Sequence, residues 1–485
     1  MFEQECVPFA PALIESMRSL GYSFSSAIAD LIDNSISAKA KTINIISEPS
    51  NNPSIVILDN GVGMTKDELY EAMRYGSKNP LEIRREDDLG RFGLGLKSAS
   101  LSQCRKLIVV SKKEGKINAY SWDMDYIIDK GSWMLKVFSE EEIESFEYID
   151  KLKQQKQGTY ILLKDFDRIK EGTGNLSITF NQCLDDMIEH LALVFHRYID
   201  EGLVININGV RIESRDPFLS YHSATQRKRE SSFYIHNEKI TLKPFILPHL
   251  SKLEQRDLDK VGGKDGLRSD QGFYVYRNKR LIIWGTWFRL ERKDELNKLA
   301  RVMVDIPNSL DYMWSIDIKK STATLPDIIK KNMYSAVYES VLSSEAVHTY
   351  RGRKEKKKDE VDYIWERLQV RDGYEYIINR KIPQLKMLGE TLNEEQAKLL
   401  ESAISVIEKA LPVNALYVDI AKGKVEEKKN NEVEYLWKEL EIQIEYARSH
   451  SLSVISYYKA FLKLEPYCNY DKIRKRIQEE IDKYE

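Results

Sequence analysis

Reactive side chains cluster early in this chain, and their spacing suggests chemistry before any element is assigned. In Ala27-Ile-Ala-Asp30-Leu-Ile-Asp33-Asn34-Ser-Ile-Ser37-Ala-Lys-Ala40, a helical repeat of about 100° per residue puts Ile28, Leu31, Ile32 and Ser35 on one side. Asp30, Asp33, Asn34 and Ser37 fall on the other, so two carboxylates and a carboxamide share one stripe. Alone, such a stripe is most often a solvated face. Further on, the β-rich run Ser54-Ile-Val-Ile-Leu58 ends in Asp59-Asn-Gly61-Val-Gly63-Met64. An acid at a strand end, followed by glycines, lets the backbone approach a flat ligand that the carboxylate can hold by accepting hydrogen bonds. Then comes Gly90-Arg91-Phe92-Gly93-Leu94-Gly95-Leu96-Lys97-Ser98. Backbone N–H groups where a glycine loop runs into a helix, with a lysine beside them, suit phosphate.

Each signal is weak by itself, but the order is specific. Asp-x-x-x-Asn on a helix, Asp-x-Gly-x-Gly, Gly-x-x-Gly-x-Gly and finally Gly158-Thr159 opening the strand Tyr160-Ile-Leu-Leu163 resemble the GHKL ATPases. That superfamily joins type II topoisomerase ATPase subunits, MutL proteins, the ninety-kilodalton heat-shock chaperones, histidine kinases and MORC proteins. The wording Asp-Leu-Ile-Asp-Asn-Ser-Ile-x-Ala and Gly-Leu-Gly-Leu-Lys-Ser-Ala is most similar to MORC-type members, prokaryotic ones included. The resemblance implies ATP and Mg²⁺ as cofactors. Asn34 would hold the metal through its side-chain oxygen, a donor suited to a hard cation. Asp59 would accept the exocyclic amine of adenine, Gly61, Gly63 and Met64 would lie against the ring, and Thr159 would support Asp59. Gly90, Arg91, Phe92, Gly93, Leu94, Gly95, Leu96 and Lys97 would form a lid over the phosphates. Ser77 and Lys78 resemble a MORC Ser-Lys pair in which the lysine faces the nucleotide; a solvated lysine is the alternative.

One position departs from the family. Where its members carry a glutamate as general base, four residues before the magnesium asparagine, this chain has Asp30. Residues at i and i+4 face the same way, so the direction survives and the reach is one methylene shorter. A base must come within roughly 2.6–3.2 Å of its water, and an error of about 1 Å can cost on the order of 10²-fold. Slow, Mg-dependent ATP hydrolysis is therefore expected, with Asp33 as the alternative base.

The elements that must position these groups follow from pattern. A short amphipathic helix spans residues 8 to 21, to be packed on the first domain or, as in relatives, reaching a second subunit. Strands at 42–46 and 54–58 flank a turn at 48–53, and a helix runs from Lys66 to Tyr75. With 485 residues, 42% hydrophobic and 31% charged, the chain can bury several cores. An α+β architecture is expected: a GHKL (Bergerat) α/β sandwich at 1–170, an S5-like α+β transducer at 171–345 and a helical region at 346–485. The transducer would hold hairpins at Leu203–Ile212 and Asp270–Ile283. In transducers a lysine or arginine reaches the γ-phosphate, and Lys319 or Lys320, behind a strand at 314–318, sits where that sensor belongs. Beyond Ser340 the segments Glu360–Leu368 and Glu432–Leu440 resemble each other, as a repeated helical unit or as a shared amphipathic solution.

Net charge near −2 neither favours nor excludes nucleic acid, so DNA contact would need local patches such as 227–229, 277–280, 289–293 or 351–358. Cys6, Cys104, Cys183 and Cys468 lack metal-binding spacing and suit a reduced, cytoplasmic or nuclear setting. No run is long enough to span a membrane. The expected protein is a clamp that homodimerises on ATP binding and acts on DNA, in a restriction or antiphage system with a nuclease or helicase partner. A chaperone-like clamp on a protein client, or a slowly hydrolysing nucleotide-sensing scaffold, is the alternative.

Overall fold

The computed structural model describes residues 3, 8–18, 21–48, 50, 52–76, 95–170, 176–310, 329–330, 332–334, 337, 340–341, 343–344, 361–370, 373–413, 415–416 and 432–484. The chain divides into two compact units, Met1–His348 and Thr349–Glu485.

The first unit opens with helices α1 (Ala10–Arg18) and α2 (Phe24–Ser37). α1 is shorter than the expected 8–21, and Gly21 beyond it has φ +71°. Ser23 caps α2 by accepting a hydrogen bond from the Ser26 N–H at 3.2 Å, and Phe24, Ile28, Leu31 and Ile32 drive one face into the core. Strands β1 (Thr42–Glu48) and β2 (Ser54–Asp59) pair antiparallel, as their patterning predicts. Helix α3 (Lys66–Met73) starts on a Thr65/Glu68 capping box. Then come α4 (Gly95–Gln103), β3 (Lys106–Lys113), β4 (Lys116–Asp123), α5 (Met124–Lys130), β5 (Lys136–Val137), α6 (Glu140–Glu144), α7 (Ile149–Gln154) and β6 (Gly158–Lys164). Helices α8 (Asp167–Lys170), α9 (Leu176–Val194) and α10 (His196–Asp200) lead to β7 (Val204–Ile207) and β8 (Val210–Arg211).

These strands form one sheet in the order β5-β4-β3-β6-β2-β1-β7-β8. All six residues of β2 are buried, because the sheet is covered on both faces. Ile55 and Ile57 point with α2 and α9 into one core, while Val56 and Leu58 join Ile149 and Leu152 of α7 on the other. The 203–212 hairpin corrects an expectation. It adds to this first sheet, with β7 parallel to β1, because Ile205 and Ile207 continue the apolar face below α2.

A second sheet follows: β9 (Gln226–Arg227), β10 (Ser231–Ile235), β11 (Glu238–Ile246), β12 (Gly272–Arg277), β13 (Arg280–Thr286) and β14 (Ala300–Ile306). Its order is β10-β11-β14-β12-β13, with β9 on β11. Phe273 and Val275 of β12 enter its own core. Tyr274 and Tyr276 face the other way and join the core that holds α2 and α9.

The second unit is not helical throughout. β15 (Trp365–Val370) and β16 (Gly373–Ile378) form an antiparallel hairpin, and helices at 383–391, 394–409, 432–449, 454–461 and 471–482 follow. The two look-alike segments therefore adopt different structures and are not a helical repeat. Trp365–Leu368 finds its strand partner in Glu375–Ile378, whereas residues 432–440 sit in a helix whose Leu440 and Ile444 fill an apolar core. Among the described residues no helix is long and apolar enough to cross a membrane.

Candidate functional site

The end of β2 is the best-built part of the site. Asp59 is buried, and its Oδ1 accepts hydrogen bonds from the backbone N–H of Gly61 at 2.8 Å and of Thr159 at 3.2 Å. The Ser35 hydroxyl donates to its Oδ2 at 2.8 Å. A carboxylate offers about four acceptor positions, so these three donors leave room for one more on Oδ2. Burial pushes the Asp59 carboxyl above its ordinary range, and the three hydrogen bonds oppose the rise without cancelling it. The Thr159 contact with Asp59 is made through its backbone N–H.

Two glycines let strands approach closely here. Gly63 has φ +63°, and a Cβ on it would lie 2.1 Å from the Lys112 carbonyl oxygen. One on Gly158 would lie 2.2 Å from the Asp59 carbonyl oxygen, so neither position accepts a side chain. Ser111 binds the two loops together, accepting from the Met64 N–H at 2.8 Å and donating to the Gly158 carbonyl at 3.2 Å. Gly61 is buried and Met64 is half-buried beside them.

On α2 the acidic stripe is divided between different tasks. Asp30 is buried, and the Tyr22 hydroxyl donates to its Oδ2 at 3.0 Å. Asn34 is half-buried, with an amide nitrogen that is buried and has no hydrogen-bond partner among the described residues. Asp33 does not join them. Arg280, at the start of β13, donates its Nε–H to both Asp33 oxygens at 3.1 and 3.2 Å. The guanidinium also lies 5.1 Å from the centre of the Phe195 ring and donates to the Leu281 carbonyl. Both partners are under 10% exposed. This corrects the reading of Asp33 as a second base: its charge is bound in an ion pair that ties α2 to the second sheet. Of the 277–280 patch, Arg277 and Arg280 are buried and only Lys279 is exposed, paired with Glu201.

Lys97 requires another correction. Expected to neutralise phosphates, it is instead buried, donating to the carbonyls of Ala72 at 2.8 Å and Arg74 at 2.9 Å, with Tyr75 beside it. Its ammonium satisfies carbonyls at the end of α3. Gly95 begins α4, its Cβ position 3.9 Å from Asp30 Oδ2, and Leu96 packs against the first core. Ser77, Lys78, Gly90, Arg91, Phe92, Gly93, Leu94, Lys319 and Lys320 lie outside the described residues.

Sequence reasoning missed Tyr22, Ser35, Ser111 and Arg280. Ser35 follows Asn34 directly but was assigned to the apolar side, and its turn toward Asp59 depends on β2 being packed beneath α2. Nothing local marks Tyr22 or Ser111, and Arg280 lies 247 residues from its partner.

Residues 22–159 match the family described as histidine kinase-, DNA gyrase B-, and HSP90-like ATPase. The chain is 37% identical over 95 residues to ATPase morc-1 of Caenorhabditis elegans, covering 19% of this chain and 11% of that protein. It is 25% identical over 236 residues to ATPase MORC2B of Mus musculus, covering 45% and 23%. With the DNA mismatch repair protein MutL of Leptospira biflexa it shares 33% over 142 residues, covering 29% and 20%. The matched segments thus span less than a quarter of the length of each of these relatives. Through this match the N-terminal part of the chain carries a domain of the GHKL superfamily, similar to that of MORC proteins.

Proposed function

We propose that this chain binds and slowly hydrolyses Mg-ATP, and that the loaded protein closes as a homodimeric clamp on DNA. The observation that carries the reading is the Asp59 cradle: three donors from the fold hold a buried acid and leave about one acceptor position. An adenine amine fills such a position, whereas guanine presents a carbonyl there and would leave two acceptors facing each other. Asn34 fits Mg²⁺. It offers a hard oxygen donor on a half-buried side chain, and a cation that keeps most of its waters and takes phosphate oxygens needs few protein ligands; its buried N–H, without a hydrogen-bond partner among the described residues, would donate to a ligand oxygen and not meet the metal. That metal would neutralise phosphate charge when bound. Asp30, on the same face of α2, would take a proton from the attacking water.

The Arg280–Asp33 pair supports coupling between the nucleotide site and the second sheet, because the helix that carries Asn34 is gripped from that sheet. Whether Lys319 or Lys320 reads the γ-phosphate, and how the glycine segment covers the nucleotide, rests on the family resemblance. DNA as the client is supported by the mismatch-repair relative's name and by exposed Arg227, Arg229, Arg289, Arg292 and Lys293. Restriction or antiphage defence, with a nuclease or helicase partner, rests on the likeness to prokaryotic MORC-type members. The test is the mass of the protein in solution with a nonhydrolysable ATP analogue, with and without closed-circular DNA. We expect an analogue-dependent dimer retained on the circle and released when the circle is cut. Dimerisation with no DNA retention would favour a protein client, and a monomer under all conditions would end the clamp reading.

A further inference from the structure

Asp30 is one methylene shorter than the glutamate of the family, so the direction of its carboxylate matters more. Rotation about the last torsion of an aspartate is soft, and one hydrogen bond to one oxygen is enough to fix it. Tyr22 makes such a bond, its hydroxyl donating to Oδ2 at 3.0 Å across the first turns of α2. The donor is itself held. Ser23, the next residue, is the α2 cap. Buried Gln103, at the end of α4, donates its side-chain amide to the Tyr22 carbonyl at 3.0 Å and to the Ser102 hydroxyl at 2.9 Å. At its other end α4 brings Gly95 close to the same oxygen, its Cβ position 3.9 Å from Oδ2. One carboxylate oxygen is thus enclosed by a phenol anchored to the far end of α4 and by that helix's first residue.

We propose that Tyr22 is a positioning residue for hydrolysis, fixing the short carboxylate of Asp30 so that it meets the attacking water in one orientation. This rests on the reading of Asp30 as the base. One consequence separates it from simple packing. A longer acid depends on a different geometry, so the need for Tyr22 must weaken when residue 30 is glutamate.

The experiment measures single-turnover ATP hydrolysis by the full chain, with analogue binding followed by calorimetry as a check on folding and affinity. Tyr22→Phe keeps the ring and removes the donor. The expected result is a loss of about tenfold in turnover with nucleotide affinity within about twofold. In an Asp30→Glu background the same change should alter turnover by less than about twofold. Tyr22→Phe turnover equal to the parent's, or an equal loss in both backgrounds, would overturn the proposal. Asp30→Asn separates the two levels: if it binds nucleotide and hydrolyses at the parental rate, the base assignment itself fails.

Discussion

At the end of β2, Asp59 receives three hydrogen bonds from its own fold; on the face of α2, Asn34 has a buried amide nitrogen without a described partner. The first region is finished before any ligand arrives, and the second is not. A group that reads the identity of a base works best preorganised, since each degree of freedom it keeps is lost on binding. An amide N–H left open can donate to a ligand oxygen, while any metal would fall to the oxygen of the same carboxamide. Asp33 lies between these cases. It shares the helix with Asn34, but Arg280 has removed it from the site and made it part of the frame.

The largest effect should come from that frame. Arg280→Gln leaves Asp33 buried without its cation, and breaking a buried pair from one side costs about 3–5 kcal/mol. Urea unfolding should show that loss, with most of it recovered in Arg280→Gln/Asp33→Asn, because replacing both partners is far less costly. A single variant as stable as the parent would mean that the pair does not hold α2. Next in size is Asn34→Ala, which should weaken Mg-ATP binding by about 10–100-fold, leave metal-free nucleotide much less affected and cost little stability. Equal losses with and without metal would make Asn34 a packing residue and erase the contrast with Asp59.

The smallest effect is the response to pH. Asp59 titrates above its reference value of 3.8 in the folded chain, so the folded state holds its proton more tightly than the unfolded one. The cost of burying its charge is present above the raised value and is relieved as pH falls through it, so acidification makes the contribution of Asp59 to stability less unfavourable. Nucleotide binding moves the opposite way, because protonation occupies the acceptor that the adenine amine needs. Parallel melting and binding titrations from neutral pH downward should diverge in the parent and run together in Asp59→Asn.

Much of the first sheet was legible in the sequence, since β1 announces itself by alternation, β2 and β6 by short continuous apolar runs and α2 by its stripe. So were Gly63 and Gly158, because a close backbone approach requires a residue without a side chain. The frame was not legible. Arg280 looked like surface charge until β13 was folded against α2, and Lys97 looked like a phosphate ligand until the end of α3 supplied two carbonyls. Both are long-range pairings whose meaning is set by tertiary contact. The 203–212 hairpin was legible as a hairpin and misplaced as to sheet, since alternation fixes which face is buried and not which strand is the neighbour. Trp365–Leu368 became a strand because of a partner that its own pattern does not reveal.

The most direct test is calorimetry of ATP and GTP, each with Mg²⁺, on the folded chain and on Asp59→Asn. The asparagine keeps the shape of the cradle while placing a donor where adenine needs an acceptor. ATP should bind the parent, GTP should bind at least about 100-fold more weakly, and Asp59→Asn should lose ATP by a similar factor without a lower melting temperature. Equal affinity for the two nucleotides, or undiminished ATP binding by Asp59→Asn, would contradict the account.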